Sequence, residues 1–225
     1  MNIPALVVVL NLKGIKTLFH ANTVQTSCTF LGAGGLASRG YVERNGLPQT
    51  PQSSDDTDKA MGVWNDVFLD TDDIHWRSKS PNAYGPVLFQ IDVAALNKLP
   101  VGSDIRITKK NPLYWGPGEP DSARLFKDVA EVDKDLVKGR FEQMIMVRTP
   151  AALLPFPVTP VQIALDNPQR TLSDGSDAFQ TASGLLNQAG NAAQRRVALT
   201  PHVCRADCKC KETYAAKGDL DGWFK

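Results

Sequence analysis

The chain has 225 residues, 42% of them hydrophobic and 22% charged, with a formal net charge of +1. That length suits one large domain, or one domain with an appendage, and the composition excludes a disordered or fibrous chain. Near-neutrality excludes a globally basic surface for nucleic acid and leaves room only for a local patch. The opening apolar run, residues 5–10, is too short to span a bilayer. It has no basic start and no small-residue cleavage site, so it is not read as a signal peptide. A first core strand is expected there instead. No membrane partner is expected, and the cytoplasm, where thiols stay reduced, is the default compartment.

The remaining elements follow in chain order. Val24, Cys28 and Leu31 recur at helical spacing, and the glycines of 32–35 end that helix. Residues 45–60 are rich in Pro, Ser, Thr and Asp and predict a long loop. Residues 63–70 are aromatic and β-prone, 84–92 predict a strand opened by Gly85-Pro86, and 104–110 alternate like another strand. A Pro/Gly loop at 111–126 leads into a helix, and 128–140 are polar and either helical or irregular. Met144 to Val147 read as a buried strand. Beyond Pro150 the texture changes: 150–168 contain five prolines, and no regular core element is expected at their start. Residues 173–193 predict a helix interrupted by glycines. The fold class is therefore α+β. A Rossmann sheet is disfavoured because the glycine cluster follows a helix and not a strand. The change of texture sets a boundary between a domain over 1–150 and a C-terminal extension over 151–225.

Three groups of residues carry possible chemistry. Glu142 stands beside Gln143 where a core strand begins. A lone glutamate there is either solvated or, if aimed into a cleft, catalytic. His20 ends a strand just before a helix and a glycine turn, so its ring and nearby backbone groups can face one cleft. The third group, His202, Cys204, Cys208 and Cys210, offers three thiols and one imidazole, the number and type for tetrahedral zinc. Reduced thiols or, after export, a disulfide are the alternatives. Arg195, Arg196, Arg205, Lys209 and Lys211 make this tail locally basic, fit for phosphate contacts. The aspartates of 53–60 and 70–75 lack the spacing of a calcium loop and read as solvated charge.

The stretch from His20 to Leu36 resembles the first motif of the ADP-ribosyltransferase fold, in particular the DNA-modifying toxins of the DarT type. Those carry a pattern like H-x-T, then N-L, then a helix ending G-G-L. Asn22 stands where that family has threonine, with Thr23 beside it. Residues 64–70, "WNDVFLD", are similar to the family's D-Y-V-P-F-Y-F strand through Asp66, Val67 and Phe68. Residues 84–92 resemble its R-S-P-M-L strand, with Tyr84-Gly85 in place of Arg-Ser. "RFEQMIMVRTP" resembles its A-E-x-L-V motif and maps the catalytic glutamate onto Glu142. Together these cover roughly residues 15–150.

The resemblance implies a split β-sandwich with short helices and NAD as substrate. It implies a dinucleotide pocket built from His20, Asn22, Thr23, Gly35, Leu36 and Tyr84. Arg39 or Arg44 is the guanidinium expected to meet pyrophosphate or substrate phosphate. The activity implied is transfer of ADP-ribose to a base of DNA or RNA by a toxin or phage-defence effector, with an antitoxin as protein partner. Transfer to a protein side chain, or hydrolysis of NAD, is the alternative within the fold. A non-enzymatic nucleic-acid-binding protein stapled by zinc is the alternative from another class.

Overall fold

Asn2 accepts a hydrogen bond from the Ala5 N–H (3.1 Å) and caps a helix, α1 (Ile3–Leu12), where a strand was expected. The apolar run has no period-two alternation. Leu6, Val7 and Leu10 fall on one helical face and are buried, while Val8 and Leu12 are exposed. Asparagine followed two residues later by proline is the capping signal that decides the matter.

The computed structural model describes residues 1–73, 84–156, 160–203, 209–216 and 220–225. After α1 come β1 (Thr17–Asn22), α2 (Val24–Ala33), β2 (Gly35–Ala37), α3 (Arg39–Arg44), α4 (Asp55–Ala60) and β3 (Val67–Leu69). Next are β4 (Val87–Asp92), β5 (Asp104–Ile107), α5 (Asp121–Arg124), α6 (Val129–Asp135) and β6 (Ile145–Arg148). The chain continues through β7 (Leu153–Pro155), β8 (Val161–Asn167), α7 (Ala178–Ala192), β9 (Val197–Val203), α8 (Lys209–Ala216) and α9 (Asp221–Phe224). This is the expected α+β class. The expected helix over 24–31 is α2, capped by the Thr23 hydroxyl at its start and by left-handed Gly34 (φ 87°) at its end.

Among the described residues the strands form three sheets. The largest has the order β1-β4-β8-β9, antiparallel except for the parallel pair β8-β9. A second, antiparallel sheet has the order β3-β6-β5, and β2 pairs with β7. Phe19 and Asp70 exchange backbone hydrogen bonds of 2.8 and 2.9 Å, which ties β1 to the end of β3. Leu10, Leu18, Phe89, Ile163, Leu165 and Leu186 belong to one buried cluster spanning α1, the large sheet and α7.

Two expectations for the C-terminal segment fail for a physical reason. The five prolines of 150–168 predict no regular core element at the start of that stretch, yet β7 forms there. Pro150, Pro160 and Pro168 instead lie between elements, and Pro155 ends the short β7, all places that proline tolerates. Between them β8 is interior, with Val161, Ile163, Ala164, Leu165 and Asp166 buried, so it has no clean alternation to read. The chain beyond residue 150 thus supplies two strands to the sheet that carries His20. Glycines also fail to interrupt α7. At Gly190 a Cβ would stand 2.6 Å from Val197 Cγ2, so glycine lets β9 approach the helix.

Candidate active site

A cavity of about 310 Å³ opens where β1, the β1–α2 turn, α3, the segment before β3, and the start of β4 converge. Its wall includes His20, Asn22, Arg39 and Tyr84, four of the residues that the sequence singled out. His20 lies at the seam between the two larger sheets. Its Nδ1 lies 2.8 Å from the Phe68 carbonyl oxygen, a contact made only by an N–H on that nitrogen. The other nitrogen, Nε2, is then a buried acceptor with no protein partner among the described residues. Burial holds the His20 pKa below its ordinary value despite the opposing Phe68 hydrogen bond, so the ring is neutral near pH 7.

Asn22 is buried, and its side-chain oxygen accepts the Thr23 N–H (3.0 Å), which leaves the amide NH₂ as its remaining polar group. Gly85 makes this arrangement possible. Its φ is +133°, and a Cβ there would stand 2.4 Å from the Asn22 carbonyl oxygen and 2.6 Å from the Thr23 nitrogen. Tyr84, just before it, is carried onto the wall. Arg39 is largely buried. It meets Asp55 through two nitrogens (2.6–3.0 Å) and donates to the Thr50 carbonyl (2.8 Å).

Other expected site residues lie elsewhere. Thr23 caps α2 and shares a hydrogen bond with Thr50 (2.7 Å), behind the wall. Gly35 and Leu36 are buried in β2. The close approach that Gly35 permits is to the Leu154 backbone, where a Cβ would be 2.3 Å from the carbonyl oxygen. Arg44 is exposed and donates to Asn65 (2.5 Å). Glu142 sits in the turn before β6, half-exposed, with Arg140 Nε 3.2 Å from one carboxylate oxygen. The wall reaches Met144, two residues further on. The backbone at this point is fixed: the Thr108 hydroxyl contacts the Glu142 carbonyl (2.5 Å) and the Met144 N–H (2.8 Å). The Gln143 side chain, buried, accepts the Val137 N–H (2.7 Å).

Sequence reasoning missed several wall components. The aspartate run, read as solvated, folds into α4. There Asp55 clamps Arg39, and Asp58 lines the cavity with its carboxyl pushed above the usual range by burial. Ser38 caps α3 and lines the wall. Asp66, noted only as a match to a strand motif, has a fully buried side chain gripped by Arg106 and Arg148 from β5 and β6. Among the expected metal ligands, Cys204 and Cys208 lie outside the described residues, as does Arg205. His202 on β9 and Cys210 on α8 are described, and Cys210 is disulfide-bonded. Cys28 is a free thiol whose pKa burial raises to about 11.

No protein-family model matches the chain, and no curated protein matches its sequence. Among solved structures it is similar to Thermus sp. 2.9 DarT in complex with ADP-ribosylated ssDNA. The sequence identity is 12% and the TM-score 0.48, over 83% of this chain and 95% of that one. Among the described residues, no helix is long and apolar enough to cross a membrane.

Proposed function

We propose that the chain is an NAD-dependent ADP-ribosyltransferase that modifies a nucleic-acid base and acts as a toxin or phage-defence effector restrained by an antitoxin. The observation that carries this reading is the neutral His20 in the cavity wall. Its tautomer is set by the Phe68 carbonyl, and Nε2 is an acceptor. Such a group binds a sugar hydroxyl without itself needing to move a proton. Asn22 and Tyr84 share the wall, in the order of the sequence motifs that the chain resembles.

In this reading the NAD ribose donates a hydroxyl hydrogen bond to His20 Nε2, the Asn22 NH₂ donates to the dinucleotide, and Tyr84 stacks on nicotinamide. Arg39 faces pyrophosphate once its grip on Asp55 loosens. The C–N bond between ribose C1′ and nicotinamide breaks, its electron pair leaving with nicotinamide. A base nitrogen or oxygen of the acceptor then forms the new bond to C1′ and gives up its proton to the Glu142 carboxylate, which passes it to solvent. Positive charge peaks on the ribose as the first bond breaks, and the Glu142 carboxylate stabilises that charge most at that moment. Glu142 stands outside the wall beside Arg140, so it must swing inward on substrate binding. An exposed ion pair of this kind is worth only about 0–1 kcal/mol, which is a small barrier to that rotation.

The test is incubation with labelled NAD and separate pools of single-stranded DNA, RNA and protein. Label on nucleic acid that is lost with Glu142→Gln supports the reading. Label on protein alone, or release of nicotinamide without transfer, replaces the acceptor assignment. If NAD neither reacts nor raises the thermal midpoint, the reading fails.

A further inference from the structure

Outside the cavity, the described residues hold one convergence of metal-ligating side chains, and it lies at the far edge of the large sheet. In the parallel pair β8-β9, Asp166 is the registered neighbour of His202, so both side chains leave the sheet on one face. Helix α8 lies over this point. Cys210 and Tyr214 are four residues apart on it, one turn above the other, and both are buried. The Tyr214 hydroxyl donates to Asp166 Oδ2 and fixes the carboxylate. A carboxylate oxygen of Asp166, a ring nitrogen of His202 and the sulfur of Cys210 all lie within 4.8 Å of one another.

We propose that Asp166, His202 and Cys210, once the Cys210 disulfide is reduced, form a zinc site. Oxygen, nitrogen and sulfur donors together select zinc over the oxygen-seeking cations magnesium and calcium. Donors about 2.0–2.3 Å from a tetrahedral ion stand roughly 3.3–3.8 Å apart. The three donors therefore need to close by about 1 Å, within reach of side-chain rotation on fixed backbone. Three protein ligands leave the fourth corner to water. Tyr214 acts as the outer partner that orients a ligating carboxylate, which metal sites commonly require. This assignment keeps His202 and Cys210 of the sequence-derived set and puts Asp166 in place of Cys204 and Cys208; Asp166 lies 36 residues from His202 in the chain and is brought beside it by strand register.

The site is gated by oxidation state, because Cys210 is disulfide-bonded in this structure. A dithiol reductant supplies two electrons and two protons. The S–S bond breaks, two cysteine thiols form, and the reductant closes to its own cyclic disulfide. The Cys210 thiol then releases its proton to buffer as the sulfur–zinc bond forms. Metal uptake thus follows reduction and releases a proton.

The proposal stands independently of the transferase reading and is tested by metal content. Tag-free full-length chain, reduced with a dithiol and dialysed against zinc under nitrogen, is expected to hold about one zinc per molecule by elemental analysis. The oxidised chain is expected to hold at least tenfold less. Asp166→Asn should lose the zinc. If it keeps a full equivalent, other residues of the tail hold the ion and the assignment is overturned. Because Asp166 is wholly buried and its substitution endangers folding, cobalt substitution of the wild-type chain gives a second readout. A thiolate-to-cobalt charge-transfer band with the intensity of one thiolate supports the site. The intensity of two or three thiolates overturns it, as does reduced protein that binds no zinc.

Discussion

Asp66→Asn isolates the ion network beneath the cavity. The Asp66 side chain is fully buried, while those of Arg106 and Arg148 are 28% and 41% exposed. Arg148 Nε lies 2.8 Å from one carboxylate oxygen and a second Arg148 nitrogen 2.9 Å from the other, to which Arg106 also bonds. Asparagine keeps the volume and removes the charge, so two cations face each other across a neutral amide. One unit-charge pair at 4 Å is worth about 4 kcal/mol at an effective dielectric of 20. Breaking a wholly buried pair costs roughly 3–5 kcal/mol. Here both guanidiniums can regain water, so the expected loss is lower, about 2–3 kcal/mol.

Urea denaturation followed by far-UV circular dichroism measures that loss, taken from the midpoint at constant slope. High salt should restore little of it, since screening acts weakly on a buried carboxylate. Arg148→Met alone should cost less than Asp66→Asn, because Arg106 still neutralises the aspartate. A loss under about 1 kcal/mol for Asp66→Asn would mean that the carboxylate is solvated, and the network account would be wrong.

Glu142→Gln should lower transfer about a hundredfold or more while leaving NAD binding close to wild type, because the lost charge acts in the transition state; retention of more than about a tenth of the rate removes Glu142 from catalysis. The depressed His20 pKa makes the folded chain bind fewer protons than the unfolded chain once pH falls below the ordinary histidine value of 6.5, so stability should fall with pH from there downward. His20→Gln should flatten that part of the stability profile, and an unchanged slope would assign it to other groups. Gly85→Ala should cost about 3 kcal/mol or more and deform the wall at Asn22, since a positive φ and a 2.4 Å approach to backbone act together; a variant with wild-type stability and NAD affinity would refute that packing account.

What the sequence made legible divides along physical lines. Local signals read well: Gly34 ends α2 inside the predicted glycine cluster, and β4 and β5 fall inside the predicted strands. The opening helix was lost because an unbroken apolar run has no period, and the cap at Asn2 was the overlooked signal. The predicted strand over 63–70 shrinks to Val67–Leu69, since the Asp66 N–H bonds back to Val63 in a turn. His20, Asn22 and Tyr84 were found through ordered motifs and Arg39 as one of two guanidiniums past the glycine turn, and the structure brings all four to one wall. The motif could not give the orientation of Glu142, which depends on the turn closed by the Gln143 N–H on the Arg140 carbonyl and on the Arg140 side chain. Pairings at a distance were invisible. Arg39 meets Asp55 sixteen residues on, and Asp66 meets Arg148 eighty-two residues on. Asp166 had a signal that went unused: a carboxylate within an apolar run must find a partner or cost several kcal/mol.

Sheet order keeps the His20 cavity apart from the Asp166, His202 and Cys210 convergence. His20 is on β1 and His202 on β9, the two ends of the order β1-β4-β8-β9. Three strand spacings of about 4.8 Å, roughly 14 Å, separate the two strands, and His202 lies three residues beyond Leu199, the residue level with His20. Between them run β4 and β8, whose Phe89, Ile163 and Leu165 are buried in the main core. Those interior strands hold the cavity wall by pairing: β4 is in register with β1 from Thr17 to Asn22, and β8 backs β4 from Val87 to Gln90. The segment beyond residue 150 is therefore not an accessory to the His20 site. It supplies the strand that keeps β4 interior, and it places Asp166, His202 and Cys210, the ligands of the proposed zinc site, toward the opposite edge while β4 and β8 hold His20 in place.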